Sequence, residues 1–80
     1  MGPRDESAAF LVAFGRAVRQ CREKKEISQE ELGFQADLDR TYISGIERGL
    51  RNPTLKTIRR IAKALGTRPS RLIGMAEEEG

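Results

Sequence analysis

The chain has 80 residues, with 15 lysines and arginines against 12 aspartates and glutamates, which gives a formal net charge of +3. A chain of this length makes one domain that buries only about 60% of its unfolded surface, so we expect contacts with a partner to add stability. The single cysteine, Cys21, excludes an internal disulfide and is typical of a protein from a reducing compartment.

The longest apolar stretch lies around Phe10 to Phe14. It is far shorter than the roughly 20 residues that a membrane span needs. No basic leader precedes it, as a signal peptide would require. We therefore expect a soluble, cytoplasmic protein with no membrane partner.

Charge is distributed unevenly along the chain. The last residues include three consecutive glutamates, whereas the stretch from Arg40 to Lys63 holds seven basic residues against the single acid Glu47, a local charge of +6. Such a stretch is typical of a surface that binds a polyanion, although a solvated helical face would show the same pattern. The basic residues are Arg40, Arg48, Arg51, Lys56, Arg59, Arg60 and Lys63.

Apolar residues at helical spacing predict a long first helix that runs to about Lys25. Ser28 followed by Glu31 has the form of a capping box, so a second helix begins there and ends at about Ala36. The apolar face of the first helix consists of Leu11, Phe14, Val18 and Cys21.

A tight turn over residues 37–39 separates the second helix from a third. Asp39 is suited to cap this third helix, whose buried face is Ile43 and Ile46 and which Gly49 ends. Two short helices joined by such a turn have the layout of a helix-turn-helix.

Two further helices complete the predicted fold. Thr54, which follows Pro53, opens a fourth helix that stops at Gly66, and a short fifth helix begins at about Pro69. The apolar residues at helical spacing on the fourth helix are Leu55, Ile58, Ile61, Ala62 and Leu65, and the fifth helix is predicted to bury Leu72 and Ile73.

No alternation of the β type and no internal repeat interrupts this pattern, so we predict an all-α fold, a compact five-helix bundle around one core. Residues 1–7 are predicted to be a flexible N-terminal arm. The DNA-binding domain is assigned to residues 8–75, with the helix-turn-helix motif at about 28–49. Residues 76–80 are predicted to be a frayed acidic tail.

Four stretches of the chain carry a family pattern: RQCREKK at Arg19 to Lys25, ISQEEL at Ile27 to Leu32, RTYISGIERG at Arg40 to Gly49 and RNPTLKTIRRIAKAL at Arg51 to Leu65. They resemble the helix-turn-helix domain of phage repressors, Cro proteins and bacterial Xre-type regulators, and in particular the small restriction-modification controller proteins. The resemblance covers roughly Phe10 to Ile73. It implies a sequence-specific regulator of transcription in a bacterium or phage, associated with the nucleoid when bound to DNA.

The third helix is the predicted reading helix, because one helix fits the major groove of B-DNA. Arg40 is the main candidate to contact a base, since a guanidinium can donate two bonds to guanine; a phosphate contact is the alternative. Thr41 could meet a thymine methyl or a phosphate, and Gly45 either allows close approach or is merely tolerated. With Ile43 and Ile46 turned inward, the predicted base contacts are Arg40, Thr41, Ser44 and Gly45.

Contacts to the phosphate backbone are expected on both sides of the reading helix. Gln29 matches the phosphate clamp of similar domains, where a side-chain amide and a helix N-terminus meet one phosphate. The Tyr42 hydroxyl could bond a phosphate, or the ring could pack against the neighbouring helix. The predicted phosphate contacts are Gln29, Tyr42, Arg48, Arg51 and Asn52.

The resemblance also implies a structural ion pair, Arg22 with Glu47, that is partly buried between the first and third helices. Cys21 is expected in the core rather than as a redox sensor. Glu26 and Asp37 stand where the family has glycine, and both positions often require a positive φ.

A homodimer on a pseudopalindromic operator is the expected assembly, with the reading helices about one helical turn of DNA (roughly 34–36 Å) apart. The predicted dimer surface is Leu65, Leu72, Ile73 and Met75; the alternative is that these residues close the core of one protomer. RNA polymerase is a further partner if the protein activates transcription, and a controller protein would activate and repress its own promoter.

An enzyme is not expected, because the chain has no histidine, no phosphate-binding glycine loop and no metal-ligand spacing, so no cofactor or metal is predicted. The alternative function is a helix-turn-helix interaction module, such as the antitoxin-like component of a complex. RNA is disfavoured as a ligand, because a helix does not fit the narrow major groove of an A-form duplex.

Overall fold

The computed structural model describes residues 6–79. The regular secondary structure of those residues is entirely helical, which confirms the predicted all-α fold. The five helices are α1 (Glu6–Lys24), α2 (Gln29–Ala36), α3 (Arg40–Glu47), α4 (Leu55–Leu65) and α5 (Pro69–Glu79).

One apolar core holds the helices together. Helix α1 packs against α3 on one side and α5 on the other, while α2 lies between α3 and α4. The predicted apolar faces converge on this core, because each contributes at least one side chain that is shielded from water. The largest fully buried residues are Val18, Leu32, Ile43, Ile46, Ile61 and Leu72.

The predicted N-caps are present at the starts of three helices. The Ser28 hydroxyl accepts from the backbone N–H of Glu31, Asp39 caps α3 and Thr54 caps α4. The predicted capping box also has the Glu31 carboxylate accept from the backbone N–H of Ser28. In the structure this carboxylate accepts instead from the side-chain amide of Gln35, one turn later.

Helices α1 to α4 all end in the same way, with one residue in the left-handed conformation. At the end of α1 that residue is Glu26 (φ 60°), and at the end of α2 it is Asp37 (φ 58°), as their places in the sequence predicted. At each end the next residue bonds back across six residues, as Ile27 N–H does to the Arg22 carbonyl and Leu38 N–H to the Gly33 carbonyl. These are Schellman motifs, which usually place glycine at the left-handed position.

The predicted boundaries at the chain ends need correction. Helix α1 already includes residues 6 and 7, which were assigned to the flexible arm; the rest of that arm lies outside the described residues. The predicted acidic tail is helical as far as Glu79, because Ala76 lies one turn after Leu72 and is fully buried. Glu79 also forms an ion pair with Arg16 of α1.

Burial separates core residues from candidates for a dimer surface. Leu65 and Leu72 belong to the core of the protomer, with 7% and 0% of their surface exposed, which agrees with the alternative that they close the core and leaves neither available to a second copy. Leu55 has the same helical spacing as the buried residues of α4 but is 82% exposed, because it lies in the first turn of α4, which extends beyond the core. Ile73 and Met75 are half-buried against the core.

Candidate nucleic-acid interface

The outward face of α3 presents most of the predicted base-contacting residues together. Ile43 and Ile46 are buried, so Arg40 and Thr41 are left exposed at the start of the helix and Ser44 is partly exposed one turn later. Polar side chains at the N-terminal end of a helix are those that reach base edges when the helix enters the major groove. The geometry of α3 therefore fits a reading helix.

Asp39 organises the N-terminal end of this helix. The hydroxyl and the backbone N–H of Thr41 both donate to the Asp39 carboxylate, which lowers the pKa of Asp39 below its ordinary value of 3.8. Because the Thr41 hydroxyl donates its proton to Asp39, only the methyl group and the lone pairs of the hydroxyl oxygen remain available for contacts with DNA. This arrangement favours an apolar contact of Thr41 over donation to a phosphate.

Gly45 is buried, although the sequence placed it on the exposed side of α3. The side chain of Arg51 lies over it, so that a Cβ at position 45 would come within 2.8 Å of the Arg51 Cγ. The guanidinium of Arg51 continues over the ring of Tyr42, with its Cζ 5.5 Å from the ring centroid. Arg51 therefore crosses the outward face of α3 itself, whereas the sequence placed it only beside that face.

Arg22 and Glu47 form the predicted ion pair between α1 and α3. Arg22 Nε donates to Glu47 Oε2 at 2.6 Å and Nη2 donates to Oε1 at 3.0 Å, while Nη1 donates to the Ile27 carbonyl at 2.9 Å. The hydrogen bond with Glu47 raises the pKa of the Arg22 guanidinium above its ordinary value. The Glu47 side chain is only 3% exposed, so this pair is part of the scaffold of α3.

Gln29, the predicted phosphate clamp, forms a hydrogen bond with the Glu47 carboxylate. Its Nε2 donates to Glu47 Oε1 at 3.0 Å, and the residue is half-buried. One N–H of the side-chain amide is therefore already used. The free backbone N–H groups in the first turn of α2 remain available to an anion.

The other predicted phosphate contacts lie around the end of α3. Arg48 and Asn52 are exposed, and Arg48 Nε donates to the Ser44 carbonyl at 3.4 Å. Asn52 lies beside α1 and α5, where it lines an apolar groove together with Phe10 and Ala76. Arg48 is thus joined to α3 itself, whereas Asn52 lies away from it beside α1 and α5.

The sequence pattern of the family described as "Helix-turn-helix" matches residues 18–72. The chain belongs to this family. As a helix-turn-helix protein of the Xre and Cro type, it is a DNA-binding regulator of transcription.

Its relatives include restriction-modification controller proteins. The control protein C.BamHI of Bacillus amyloliquefaciens is 56% identical over 61 residues, which are 75% of this chain and 75% of that protein. The crystal structure of the controller protein C.AhdI from Aeromonas hydrophila matches with a TM-score of 0.77 and 47% identity, over 78% of this chain and 94% of that one. A tetramer of the controller protein C.Esp1396I with its natural 35 base-pair operator matches with a TM-score of 0.78 and 37% identity, over 88% and 92% of the two chains.

Sequence reasoning missed two features of this helix-turn-helix protein. It did not identify Phe34, which is 82% exposed on α2 one turn after the exposed Glu30 and Glu31. An aromatic residue among polar ones on the outer side of a helix was a signal that could have been used. It also assigned all seven basic residues to one footprint, whereas Arg60 turns toward α2.

Among residues 6–79, every helix is too short or too polar to span a lipid bilayer. The same part of the chain holds no cluster of three or more histidine, cysteine or carboxylate side chains that could bind a metal ion.

Proposed function

We propose that this protein is a restriction-modification controller that binds a pseudopalindromic operator in its own promoter as a homodimer, with α3 in the major groove. The observation that carries the proposal is the outward face of α3, which presents Arg40, Thr41 and Ser44 while the buried Arg22–Glu47 pair holds the helix in place. The relative C.Esp1396I, whose structure includes a tetramer on operator DNA, supports the assignment.

Base recognition is assigned to the start of α3. Arg40 donates to guanine, the Thr41 methyl meets a thymine, and Ser44 makes an adaptable polar contact. Gly45 makes no contact of its own but accommodates the stem of Arg51. Phosphate contacts are assigned to the first turn of α2 at Gln29 and to Tyr42, Arg48, Arg51 and Asn52.

Substitution of two arginines separates the two kinds of contact. Arg40→Ala is expected to cost about 1–3 kcal/mol on the operator and to relax preference at one base pair. Arg51→Ala is expected to weaken binding to all sequences alike and to reduce the salt slope by about one. Equal losses on operator and random DNA for Arg40→Ala would exclude base reading by this residue.

The dimer surface is assigned to an apolar face formed by Phe10, Val12, Leu50 and Leu55, in place of the predicted set. Leu50 is 66% exposed and Leu55 82%, and Val12 of α1 packs closely on Gly49, the residue before Leu50. Side chains this exposed gain most from burial by a second copy. Ile73 and Met75 already pack against the core of the protomer and are less exposed, so they gain less.

RNA polymerase is proposed as a second partner, which contacts the outer side of α2. Phe34 is 82% exposed there, and Glu30 and Glu31, which are also exposed, lie one helical turn before it. Because DNA repels carboxylates, this surface suits a basic protein bound beside the operator. Phe34→Ser is expected to abolish activation in transcription with purified polymerase while operator affinity is retained; activation by the variant would exclude this contact.

The function is tested by in vitro selection from a random DNA library at physiological salt. Enrichment of a two-fold-symmetric site that also occurs upstream of the chain's own gene is expected. A methyltransferase or restriction endonuclease gene next to that promoter would support the controller role. Salt-sensitive binding without enrichment would contradict sequence-specific recognition and favour an interaction module.

A further inference from the structure

Arg60 makes contacts that set it apart from the rest of the basic run. Its Nε donates to the Ala36 carbonyl at 3.0 Å, and its Nη2 donates to the Asp37 carbonyl and lies 3.4 Å from the Asp37 carboxylate. Ala36 is the last residue of α2, and Asp37 is the left-handed residue at the start of the turn before α3. Arg60 thus connects α4 directly to the turn of the helix-turn-helix.

The end of α2 needs such a partner for two reasons. The last carbonyl groups of a helix lack partners within it and carry the negative end of its dipole, so a guanidinium both bonds to them and opposes their charge. In addition, Asp37 occupies a left-handed conformation that glycine would adopt without strain, so the turn relies on outside contacts to hold it. The Asp37 carboxylate is itself fully exposed, so the bonds to the two carbonyls matter more than the ion pair.

We infer that Arg60 is a positioning residue for DNA recognition and not a phosphate contact. It fixes the turn between α2 and α3, and through the turn it fixes the direction in which α3 enters the major groove. This inference rests on the proposed function, because it concerns how the same reading helix is oriented. The neighbouring Arg59 provides a comparison, since it is exposed and no hydrogen bond or ion pair joins it to any residue among 6–79.

The test compares Arg60→Met with Arg59→Met in the full chain. Affinity is measured for the selected operator and for random DNA across a range of salt concentrations, at a temperature where circular dichroism shows each variant to be folded. For Arg60→Met we expect the ratio of operator to random-DNA affinity to fall about tenfold, the effect of roughly one lost base contact, with an unchanged salt slope. Loss of a phosphate contact would instead reduce the slope by about 0.9 and weaken both DNAs equally, which would overturn the inference.

A second variant separates positioning from general stability. In an Asp37→Gly background the turn no longer depends on outside contacts, so Arg60→Met is expected to change the affinity ratio much less than in the parent chain. An equal fall in both backgrounds would contradict the inference. If the single Arg60→Met variant does not fold, Asp37→Gly is compared with the double variant Asp37→Gly/Arg60→Met, and a tenfold fall in the affinity ratio between those two proteins would contradict the inference. If the parent chain itself shows no operator preference, the proposed function fails first, before Arg60 is tested.

Discussion

At the scale of single residues, Glu26 is held in a conformation that costs free energy. A non-glycine residue in the left-handed region loses roughly 1–2 kcal/mol relative to glycine, and Glu26 lies there with φ 60°. Glu26→Gly is therefore expected to raise the free energy of unfolding by about 1 kcal/mol, which raises the melting temperature by roughly 4–8 °C in a domain of this size.

The matched control for this substitution is Glu26→Ala. It removes the same charged side chain but keeps the Cβ that makes the conformation costly. We expect calorimetry to show no comparable gain for alanine. An alanine variant as stable as the glycine variant would mean that the glutamate charge, and not the backbone, is the source of the cost.

Asp39 makes the stability of the protein depend on pH in the acid range. Hydrogen bonds from Thr41 lower the pKa of Asp39 in the folded state below 3.8. The folded state therefore binds the proton less readily than the unfolded state, and the stabilisation is present above the unfolded pKa and lost as the pH falls through the folded pKa. Asp39→Asn keeps a capping oxygen without the titration, so its urea midpoint is expected to fall less steeply below about pH 4. Parallel curves for the two proteins would exclude this role for Asp39.

Some contacts of single residues could be predicted from the sequence and others could not. The caps at Asp39 and Thr54 could be predicted because each depends only on neighbours in the chain, and the left-handed residues at 26 and 37 could be predicted because the family that the chain resembles has glycine there. The position of Arg51 over Gly45 could not be predicted, because it depends on how the loop after α3 folds back over that helix. The bond from Gln29 to Glu47 could not be predicted for the same reason, since it joins two helices.

At the scale of elements, α1 and α3 approach each other through a glycine. A Cβ on Gly15 would lie 2.3 Å from the Ile46 carbonyl oxygen and 2.6 Å from that of Glu47. Backbone atoms cannot move aside as a flexible side chain can. Gly15→Ala is therefore expected to destabilise the fold by about 1–3 kcal/mol, despite the better helix propensity of alanine.

Gly74 in α5 provides the opposite case, because among residues 6–79 only its own helix backbone and chain neighbours lie within 4 Å of the position that its Cβ would occupy. There the gain in helix propensity is unopposed, and Gly74→Ala is expected to stabilise by up to about 1 kcal/mol. Urea unfolding of the two variants measures both effects. A Gly15→Ala variant as stable as the parent chain would show that α1 and α3 can move apart at low cost.

Helix positions followed well from the sequence, but the lengths of α1 and α5 did not. The predicted tail was judged by its charge, whereas Ala76 extends the buried face of α5 and keeps the last turn helical. Small residues such as alanine give a weak hydrophobic signal, so a helix that buries them is easily predicted too short.

At the scale of the whole molecule, the apolar face can be tested through the oligomeric state. Leu55→Gln is expected to give a folded monomer with an unchanged melting temperature at low concentration, because Leu55 is 82% exposed within the protomer. Sedimentation equilibrium measures the change. Ile73→Gln serves as control on the predicted α5 surface, and a monomeric Ile73→Gln protein beside a dimeric Leu55→Gln protein would return the interface to α5.

Helical periodicity could not have identified this face. A side chain that is buried in the core of its own protomer and a side chain that is buried only in a dimer interface show the same apolar spacing in the sequence. Leu55 and Leu72 both lie at helical spacing, yet Leu72 is fully buried and Leu55 is 82% exposed, because the core ends before the first turn of α4.

The enclosure of Glu47 has a consequence for how the protein responds to its ionic surroundings. The carboxylate joins three helices, since Arg22 reaches it from α1 and Gln29 from α2. With only 3% of its side chain exposed, it is shielded from dissolved ions that weaken charges at the surface. Added salt is therefore expected to lower the affinity for the DNA backbone and to leave the position of the reading helix in the protomer unchanged. The order in which the protein ranks different DNA sites is expected to be the same in dilute and concentrated salt, even as every site is held less tightly.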